Sequence, residues 1–367
     1  MRLSTAPRTD HLAFAAALDR ALTRPERSHV WSPYSVATVL ALLASGARER
    51  TREQLVSLVG EDLRGHLEAL DEAAAPEQGL ELSALNGLYP RAGLPLRPGF
   101  GDLVHERVAA EIEAADFPGD AEGVRAGIND RVSRVTHGLV DELLPPGTVH
   151  PDVRFLLVNA LWVTMVWTDP FEMDRTQQRP FHAPGGRREV ATMHRSARLP
   201  HARAHGWSMV ALEGRHELSL DLFLPDDESS TPPPLQPRVL EALYGGRKQQ
   251  QVELALPRFA VETDTSLLEP LDELGVREAS SDRARFDGIS EVPLKVDAML
   301  HQSVLRVDEK GAEGAAATAA MMVMSAAVPT RPVRFTVDRP FVFALRRRGA
   351  LLFLGRVSDP VDPGPAR

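Results

Sequence analysis

The chain has 367 residues, of which 43% are hydrophobic and 25% are charged, and its formal net charge is -9 at pH 7. This composition is typical of a folded protein with a substantial core, and it excludes a disordered chain and a multi-spanning membrane protein. The negative charge argues against the basic surface that nucleic acids and anionic membranes require, so we expect neither as a partner.

Cysteine and lysine usage narrow the chemistry further. The absence of cysteine excludes disulfides, thiolate metal ligands and a cysteine nucleophile. Only Lys248, Lys295 and Lys310 are lysines among 42 basic residues, which suggests a GC-rich, bacterial coding sequence. The apolar run 12–18 is rich in alanine and predicts a helix instead of a signal peptide, so we expect a cytoplasmic protein, with secretion by another route as the alternative.

The first part of the chain is predicted to be helical. Apolar residues recur at helical spacing over 9–24 and again over 31–46. Thr51 and Gln54 have the spacing of a capping box and predict the start of a third helix. The acidic stretch 61–77 predicts a helix followed by a loop.

Strands dominate the second part. A first strand is predicted at 82–89, and a further helix at 124–143 is stopped by a Pro-Pro-Gly sequence. Further strands are predicted at 155–167, 218–224, 252–261, 300–307, 333–336, 341–345 and 351–357. Helices come early and strands late, without alternation of the two, so the predicted class is α+β.

Enzyme signatures are absent from the sequence. There is no nucleophile elbow, phosphate-binding loop, zinc-binding helix motif or dinucleotide fingerprint. We therefore expect no catalytic residue, no metal and no cofactor. A hydrolase that uses Ser32 or Ser325 with His301 is the weakest alternative, because no activating motif surrounds either serine.

The segment 307–320 is the most unusual part of the sequence. Its alanines favour a helix, but Gly311 and Gly314 and the strands predicted on both sides oppose one. We interpret the segment as one of ambiguous preference that can be loop, helix or strand.

This segment resembles the reactive-loop hinge of the serpins. The matching residues are 309–318 (EKGAEGAAAT), and 339–345 (RPFVFAL) with 349–357 (GALLFLGRV) resembles the C-terminal strand pair of the family. Other similar motifs follow in family order: 31–36 (WSPYSV), 42–48 (LLASGAR), 159–162 (NALW), 167–171 (WTDPF), 256–259 (LPRF) and 286–290 (FDGIS). The chain departs from the family pattern at Thr164-Met165, Ser280 and Gly314.

The resemblance implies a single domain over 1–367 with N-terminal helices packed on a large, mainly antiparallel sheet and two further sheets. It also implies an exposed reactive-centre loop at 309–334, to which we add a flexible tail at 361–367. A serpin of this kind is a monomer that a serine protease cleaves in the loop. The cut loop then inserts into the sheet and traps the protease.

The resemblance carries over three sets of site residues. The shutter comprises Ser32, Ser35, Asn159 and His301, and the breach comprises Trp167, Arg258 and Glu309, in which Glu309 and Arg258 are expected to pair. The hinge comprises Glu309, Gly311, Ala312, Glu313, Gly314, Ala315, Ala316, Ala317 and Thr318.

The scissile bond is placed by counting along the loop. Counting from Gly311 gives Ser325-Ala326, with Met324 as the neighbouring candidate, whereas counting back from Phe341 gives a bond nearer Pro329. Residues 321–328 contain no basic residue, so we expect an elastase-like, chymotrypsin-like or subtilisin-like protease that prefers small or apolar side chains.

An inserted strand must follow the two-residue period of β-structure. If Ala312, Gly314, Ala316 and Thr318 face the core, no charge is buried, and Glu313 falls on the opposite, solvent-facing side. This pattern favours an inhibitor. The alternative is a serpin fold without inhibition, which serves as a binding or folding-assistance protein.

Overall fold

The computed structural model describes residues 5–24, 26–227, 232–312 and 331–365. Within these ranges the chain forms eight α-helices: α1 (Thr9–Leu22), α2 (Pro33–Gly46), α3 (Glu49–Val59), α4 (Leu63–Ala74), α5 (Pro98–His105), α6 (Phe117–Val135), α7 (Pro237–Gly245) and α8 (Leu268–Glu273). Among the described residues, none of the helices is long and apolar enough to cross a membrane.

The same ranges contain fifteen β-strands. They are β1 (His29–Trp31), β2 (Glu81–Pro90), β3 (Ala110–Ile112), β4 (Phe155–Val166), β5 (Gln177–Ala183), β6 (Gly186–Ala204), β7 (Trp207–Glu213), β8 (Leu218–Pro225), β9 (Lys248–Pro257), β10 (Phe259–Ser266), β11 (Ala298–Val307), β12 (Gly311–Ala312), β13 (Val333–Thr336), β14 (Phe341–Arg347) and β15 (Ala350–Val357). Helices early and strands late confirm the predicted α+β class.

The helix α2 is apolar around its whole circumference and is buried almost completely, as expected for a helix in the interior. Its start is fixed by Pro33 in the first turn and by Ser32, whose Oγ accepts a hydrogen bond from the Ser35 amide at 3.1 Å. Gly46 lets the far end approach a neighbouring loop, because a Cβ there would lie 2.3 Å from Ile289 Cγ1.

The capping box predicted for the third helix is wrong. α3 begins at Glu49, and its N-cap makes no side-chain hydrogen bond. Thr51 Oγ1 instead accepts from the Arg285 amide at 3.0 Å. Gln54 Oε1 accepts from the amide of Glu278 at 2.9 Å. Both side chains therefore fix a distant segment of the chain to α3.

The helix predicted at 124–143 has different bounds in the structure. α6 begins at Phe117, because the Asp116 side chain accepts from the Gly119 amide and caps an earlier turn. It ends at Val135, since His137 and Gly138 take left-handed backbone angles (φ 53° and 76°) that terminate a helix.

Nine strands form the larger sheet. Their order is β1-β15-β14-β8-β7-β6-β9-β13, with β5 paired to β6 at the side. The long strand β6 pairs with β5, β9 and β7 along its length. The resemblance implies two further sheets, and in the structure their strands form this one nine-stranded sheet, because β6 pairs with strands on both sides.

The predicted strand 252–261 is two strands in different sheets. β9 ends at Pro257 in the nine-stranded sheet, and β10 begins at Phe259 in the other. Arg258 lies between them and thus at the junction of both sheets.

Six strands form the second sheet, in the order β10-β11-β12-β4-β2-β3. β4 lies inside it and is buried on both faces, which explains its nearly continuous apolar sequence. Leu157 and Leu161 of β4 belong to the main apolar cluster. Leu156 and Val158, on the opposite face, belong to a second cluster covered by α6.

Candidate functional site

The site is an opening between two strands of the six-stranded sheet. β11 and β4 pair directly in parallel from Ala298 opposite Leu156 to Gln302 opposite Ala160. Beyond this point β12 enters between them, antiparallel to both. We call the intervening part, residues 161–164 of β4 and 303–306 of β11, the seam.

β12 consists of the hinge residues Gly311 and Ala312, and both are tightly enclosed. Ala312 lies opposite Met165 of β4 and Val307 of β11 and is 0% exposed within the main apolar cluster. A Cβ on Gly311 would lie 1.8 Å from the Met165 carbonyl oxygen. These two hinge residues therefore form a strand between β4 and β11, and only glycine fits at position 311.

We expect Gly311→Ala to lower the thermal unfolding midpoint, because the new methyl group must push β12 away from the β4 backbone at a cost of roughly 1–3 kcal/mol. Gly127→Ala is the matched control. Gly127 lies in α6, and its Cβ would meet no atom within 4 Å, so this change is expected to be neutral or slightly stabilising. An equal thermal midpoint for Gly311→Ala and wild type would contradict the close approach of Gly311 to the Met165 carbonyl oxygen.

A sharp turn connects β11 to β12. Asp308 Oδ1 accepts from the amides of Lys310 at 2.8 Å and Gly311 at 3.2 Å, and the Asp308 amide donates to the Gly311 carbonyl at 2.9 Å. Burial raises the pKa of Asp308. The resemblance did not single out Asp308, although an aspartate three residues before a glycine is a turn signal in the sequence.

The predicted breach pair is present. Glu309 is 0% exposed, and its Oε1 accepts from Arg258 Nε at 2.8 Å and Nη2 at 2.5 Å. Burial raises the pKa of Glu309, but the bonds from Arg258 and from Thr176 Oγ1 (2.6 Å) outweigh burial and hold that pKa below its ordinary value. The sequence reasoning missed Thr176, which lies 133 residues away along the chain.

Trp167, the third breach residue, acts on the neighbouring backbone. Its Nε1 donates to the Asp308 carbonyl at 3.0 Å, and its amide donates to the Lys310 carbonyl at 3.1 Å. The turn before β12 is therefore held from both sides, by the Trp167 bonds and by the charged pair of Glu309 with Arg258.

The predicted tail 361–367 is described as far as residue 365. Val361 forms an isolated antiparallel bridge with Ala260, the second residue of β10. Asp362 Oδ2 lies 3.8 Å from Arg258 Nη1. The start of the tail therefore lies next to the breach.

The four predicted shutter residues come together at the end of the seam where β4 and β11 begin to pair directly. Asn159 of β4 lies opposite His301 of β11. Asn159 Nδ2 donates to the Ser35 carbonyl at 3.4 Å, and His301 Nε2 accepts from the Ser32 amide at 2.9 Å. All four residues are fully buried.

Two further polar residues complete this cluster. Asn86 of β2 accepts at Oδ1 from Asn159 Nδ2 at 3.0 Å, and Ser303 Oγ lies 2.9 Å from His301 Nε2. Sequence reasoning missed both, although a single asparagine on the apolar strand 82–89 is a signal of a buried polar contact.

The cluster has unused hydrogen-bonding capacity. Asn159 Oδ1 and His301 Nδ1 are buried and have no partner among the described residues. Because Nε2 of His301 accepts from a backbone amide, the proton of the neutral ring resides on Nδ1. Burial lowers the pKa of His301 to about 3, so the ring is neutral at pH 7.

The geometry does not support the hydrolase alternative at Ser32. The Ser32 amide, not its hydroxyl, contacts His301, and the hydroxyl oxygen accepts from the Ser35 amide inside the core. Ser325, Ala326 and Met324 and the hinge residues 313–318 lie outside the described residues. Within the described part of the chain, no group of three or more acidic or histidine side chains could hold a metal ion.

Known proteins resemble this chain over nearly its whole length. The profile of a family described as "Serpin (serine protease inhibitor)" matches residues 9–360. Serpin-Z1C of Triticum aestivum is 29% identical over 98% of this chain and 97% of its own length, and the leukocyte elastase inhibitor of Bos taurus is 31% identical over 90% and 92%. A thyroxine-binding globulin in complex with thyroxine superposes with a TM-score of 0.82 at 23% identity, over 96% of this chain and 99% of that one.

Proposed function

The chain belongs to the serpin family, and on that premise we propose that it is a suicide-substrate inhibitor of serine proteases. In this proposal the target cleaves the loop near Ser325-Ala326 and forms an acyl-enzyme. The cut loop then inserts into the seam before water can release the protease. The chemistry belongs to the protease, while this chain supplies a metastable fold that relaxes when the strand inserts.

The observation that carries the proposal is the position of β12 between β4 and β11. The register of its two residues would extend along both neighbours if the loop inserted. Six residues after Ala312, Thr318 would lie opposite Asn159 on one side and opposite His301 on the other. Insertion would thus separate the two shutter residues that now pair directly.

The shutter contains hydrogen-bonding atoms that an inserted Thr318 could satisfy. A threonine hydroxyl can donate to Asn159 Oδ1 and accept from His301 Nδ1, which are two of the buried atoms that have no partner among the described residues. Satisfying buried polar atoms stabilises the inserted state relative to the native one.

The side chains of the loop also suit insertion. Ala312 already faces the main apolar cluster, so alternate residues on the same face would be Gly314, Ala316 and Thr318. All are small and uncharged. Gly314 weakens a strand by roughly 0.5–1 kcal/mol relative to alanine, which is small beside the gain of a whole strand.

For the target we propose an elastase-like, chymotrypsin-like or subtilisin-like protease. Residues 321–328 offer no basic side chain to a trypsin-like enzyme. The name of the Bos taurus relative, leukocyte elastase inhibitor, supports the same class.

The test is incubation with a panel of serine proteases followed by denaturing electrophoresis. We expect a covalent band at the summed mass with an elastase-like or subtilisin-like enzyme and none with trypsin, which serves as the matched control. Rapid stoichiometric trapping of trypsin would contradict the proposed bond. Cleavage by every enzyme without a covalent band would contradict trapping itself.

The second candidate is ligand binding without inhibition. It is favoured by the superposition on a globulin whose structure holds thyroxine, because this fold can serve as a carrier. The same panel separates the two functions, since a carrier or a folding-assistance protein is cut and released.

A further inference from the structure

Two buried histidines far from the seam are linked ring to ring. His11 of α1 and His66 of α4 are 0% and 1% exposed, and His11 Nδ1 lies 3.0 Å from His66 Nε2. The Leu351 amide of β15 donates to His11 Nε2 at 3.0 Å. His66 Nδ1 lies 3.0 Å from the carbonyl oxygen of Val59, the last residue of α3. One chain of hydrogen bonds therefore joins α1, α3, α4 and β15.

The two ends of this chain fix every proton in it. An amide can only donate, so His11 Nε2 is unprotonated and the proton of the neutral His11 ring is on Nδ1. That proton is donated to His66 Nε2, which leaves the His66 proton on Nδ1 and directs it to the Val59 carbonyl. All three bonds exist together only when both rings are neutral and carry their proton on Nδ1.

A second proton on either ring has no acceptor. On His11 Nε2 it would face the Leu351 amide, and on His66 Nε2 it would face the His11 Nδ1 proton. We propose that the His11–His66 pair is an acid-sensitive lock, which ties α1 and α4 to β15 while both rings are neutral and releases them when either ring is protonated.

The surrounding charges do not remove this effect. Arg8 and Asp10 precede His11 and pair with each other, and Asp62 caps α4 and also contacts Arg8. Burial and the neighbouring His66 lower the pKa of His11 to about 3. Burial also lowers the pKa of His66, against a smaller opposing effect of Asp10.

The direction of the pH effect follows from these shifts. The folded-state pKa values of His11 and His66 both lie below the unfolded value of about 6.5. At pH values between the folded-state and unfolded-state pKa, the unfolded chain therefore binds more protons than the folded one. The stability that the pair contributes is complete above about pH 6.5 and is lost as the pH falls below it. The pair and its hydrogen-bond partners include no residue of the seam or of the loop.

The test compares thermal midpoints at pH 7.5 and pH 5.0. His11→Gln/His66→Gln removes both titrating rings while keeping amide groups that can donate and accept. We expect the double variant to melt lower at pH 7.5 but to lose roughly 5 °C less than wild type between the two pH values. His150→Gln, at a side chain that is 55% exposed, should leave the wild-type difference unchanged. An equal pH loss in the double variant and wild type would overturn the proposal.

Ring-nitrogen NMR of the wild-type protein tests the proton positions even if the double variant folds poorly. The signals of His11 and His66, assigned from the single Gln variants or from contacts to Leu351, should show a protonated Nδ1 and an unprotonated Nε2. They should not titrate while the native fold persists. A protonated Nε2 on either ring, or titration near pH 6.5 in the native state, would overturn the lock.

Discussion

Thr318→Arg is expected to turn a trapping inhibitor into an ordinary protease substrate. In the proposed insertion register, position 318 would lie in the core between Asn159 and His301, and neither of these neutral side chains offers an arginine a counter-charge. An unpaired buried charge costs roughly several kcal/mol, and each increment of about 1.4 kcal/mol slows a step tenfold. Hydrolysis of the acyl-enzyme should then be faster than loop insertion, although the protease still cleaves the loop.

The measurement is the number of inhibitor molecules consumed per protease trapped, which we expect to rise about tenfold or more. Glu313→Arg is the matched control, because position 313 of an inserted strand would fall on the opposite face and should tolerate arginine. The thermal midpoint of loop-cleaved protein gives a second readout. Cleaved wild type should melt well above the intact form, and cleaved Thr318→Arg should gain little. Unchanged stoichiometry in Thr318→Arg would refute the register.

Arg258→Leu is expected to destabilise the native protein by about 3–5 kcal/mol, because it leaves the Glu309 carboxylate buried without a cation. The hinge should also detach from the top of β4 more readily, so that inhibitory activity is lost faster on warm incubation. The free energy of unfolding and the half-life of activity at a fixed temperature measure the two effects.

The double variant Arg258→Leu/Glu309→Leu is the control, because it also removes the Glu309 carboxylate that Arg258→Leu alone leaves buried and unpaired. We expect it to recover most of the lost stability. The penalty of Arg258→Leu alone should shrink as the pH falls, because the pKa of the unpaired Glu309 rises and its neutral form is less costly to bury. A single variant as stable as wild type at pH 7 would show that the pair does not restrain the hinge.

Buried elements were the most predictable part of the fold. The strands β4, β11, β14 and β15 are largely buried and rich in apolar residues, and their predicted bounds agree with the structure to within a few residues. The strands β5, β6 and β7 were missed. β6 carries charged residues at its start, where one end of the strand is exposed, and so lacks an apolar pattern there.

The only residues of the candidate site that could be predicted were those that match motifs of the serpin family. Ser32, Asn159 and His301 come from separate parts of the sequence, and nothing in their local spacing brings them together. Asn86 reaches Asn159 through the register of β2 with β4, and Thr176 reaches Glu309 from 133 residues away along the chain. A single sequence gives no access to such pairings, whereas turn signals such as Asp308 are local and readable.

The order of the nine-stranded sheet constrains how the protein is made. β15, the last long strand, lies between β1 and β14, and α2 packs against it. β1 is synthesised early but finds its partner only when residues 354–356 leave the ribosome. Synthesis of the intervening chain takes on the order of tens of seconds, during which the part of α2 that packs against β15 stays uncovered. The nascent chain is therefore a natural client for chaperones, and messages truncated before β14 should yield aggregates instead of a smaller folded product.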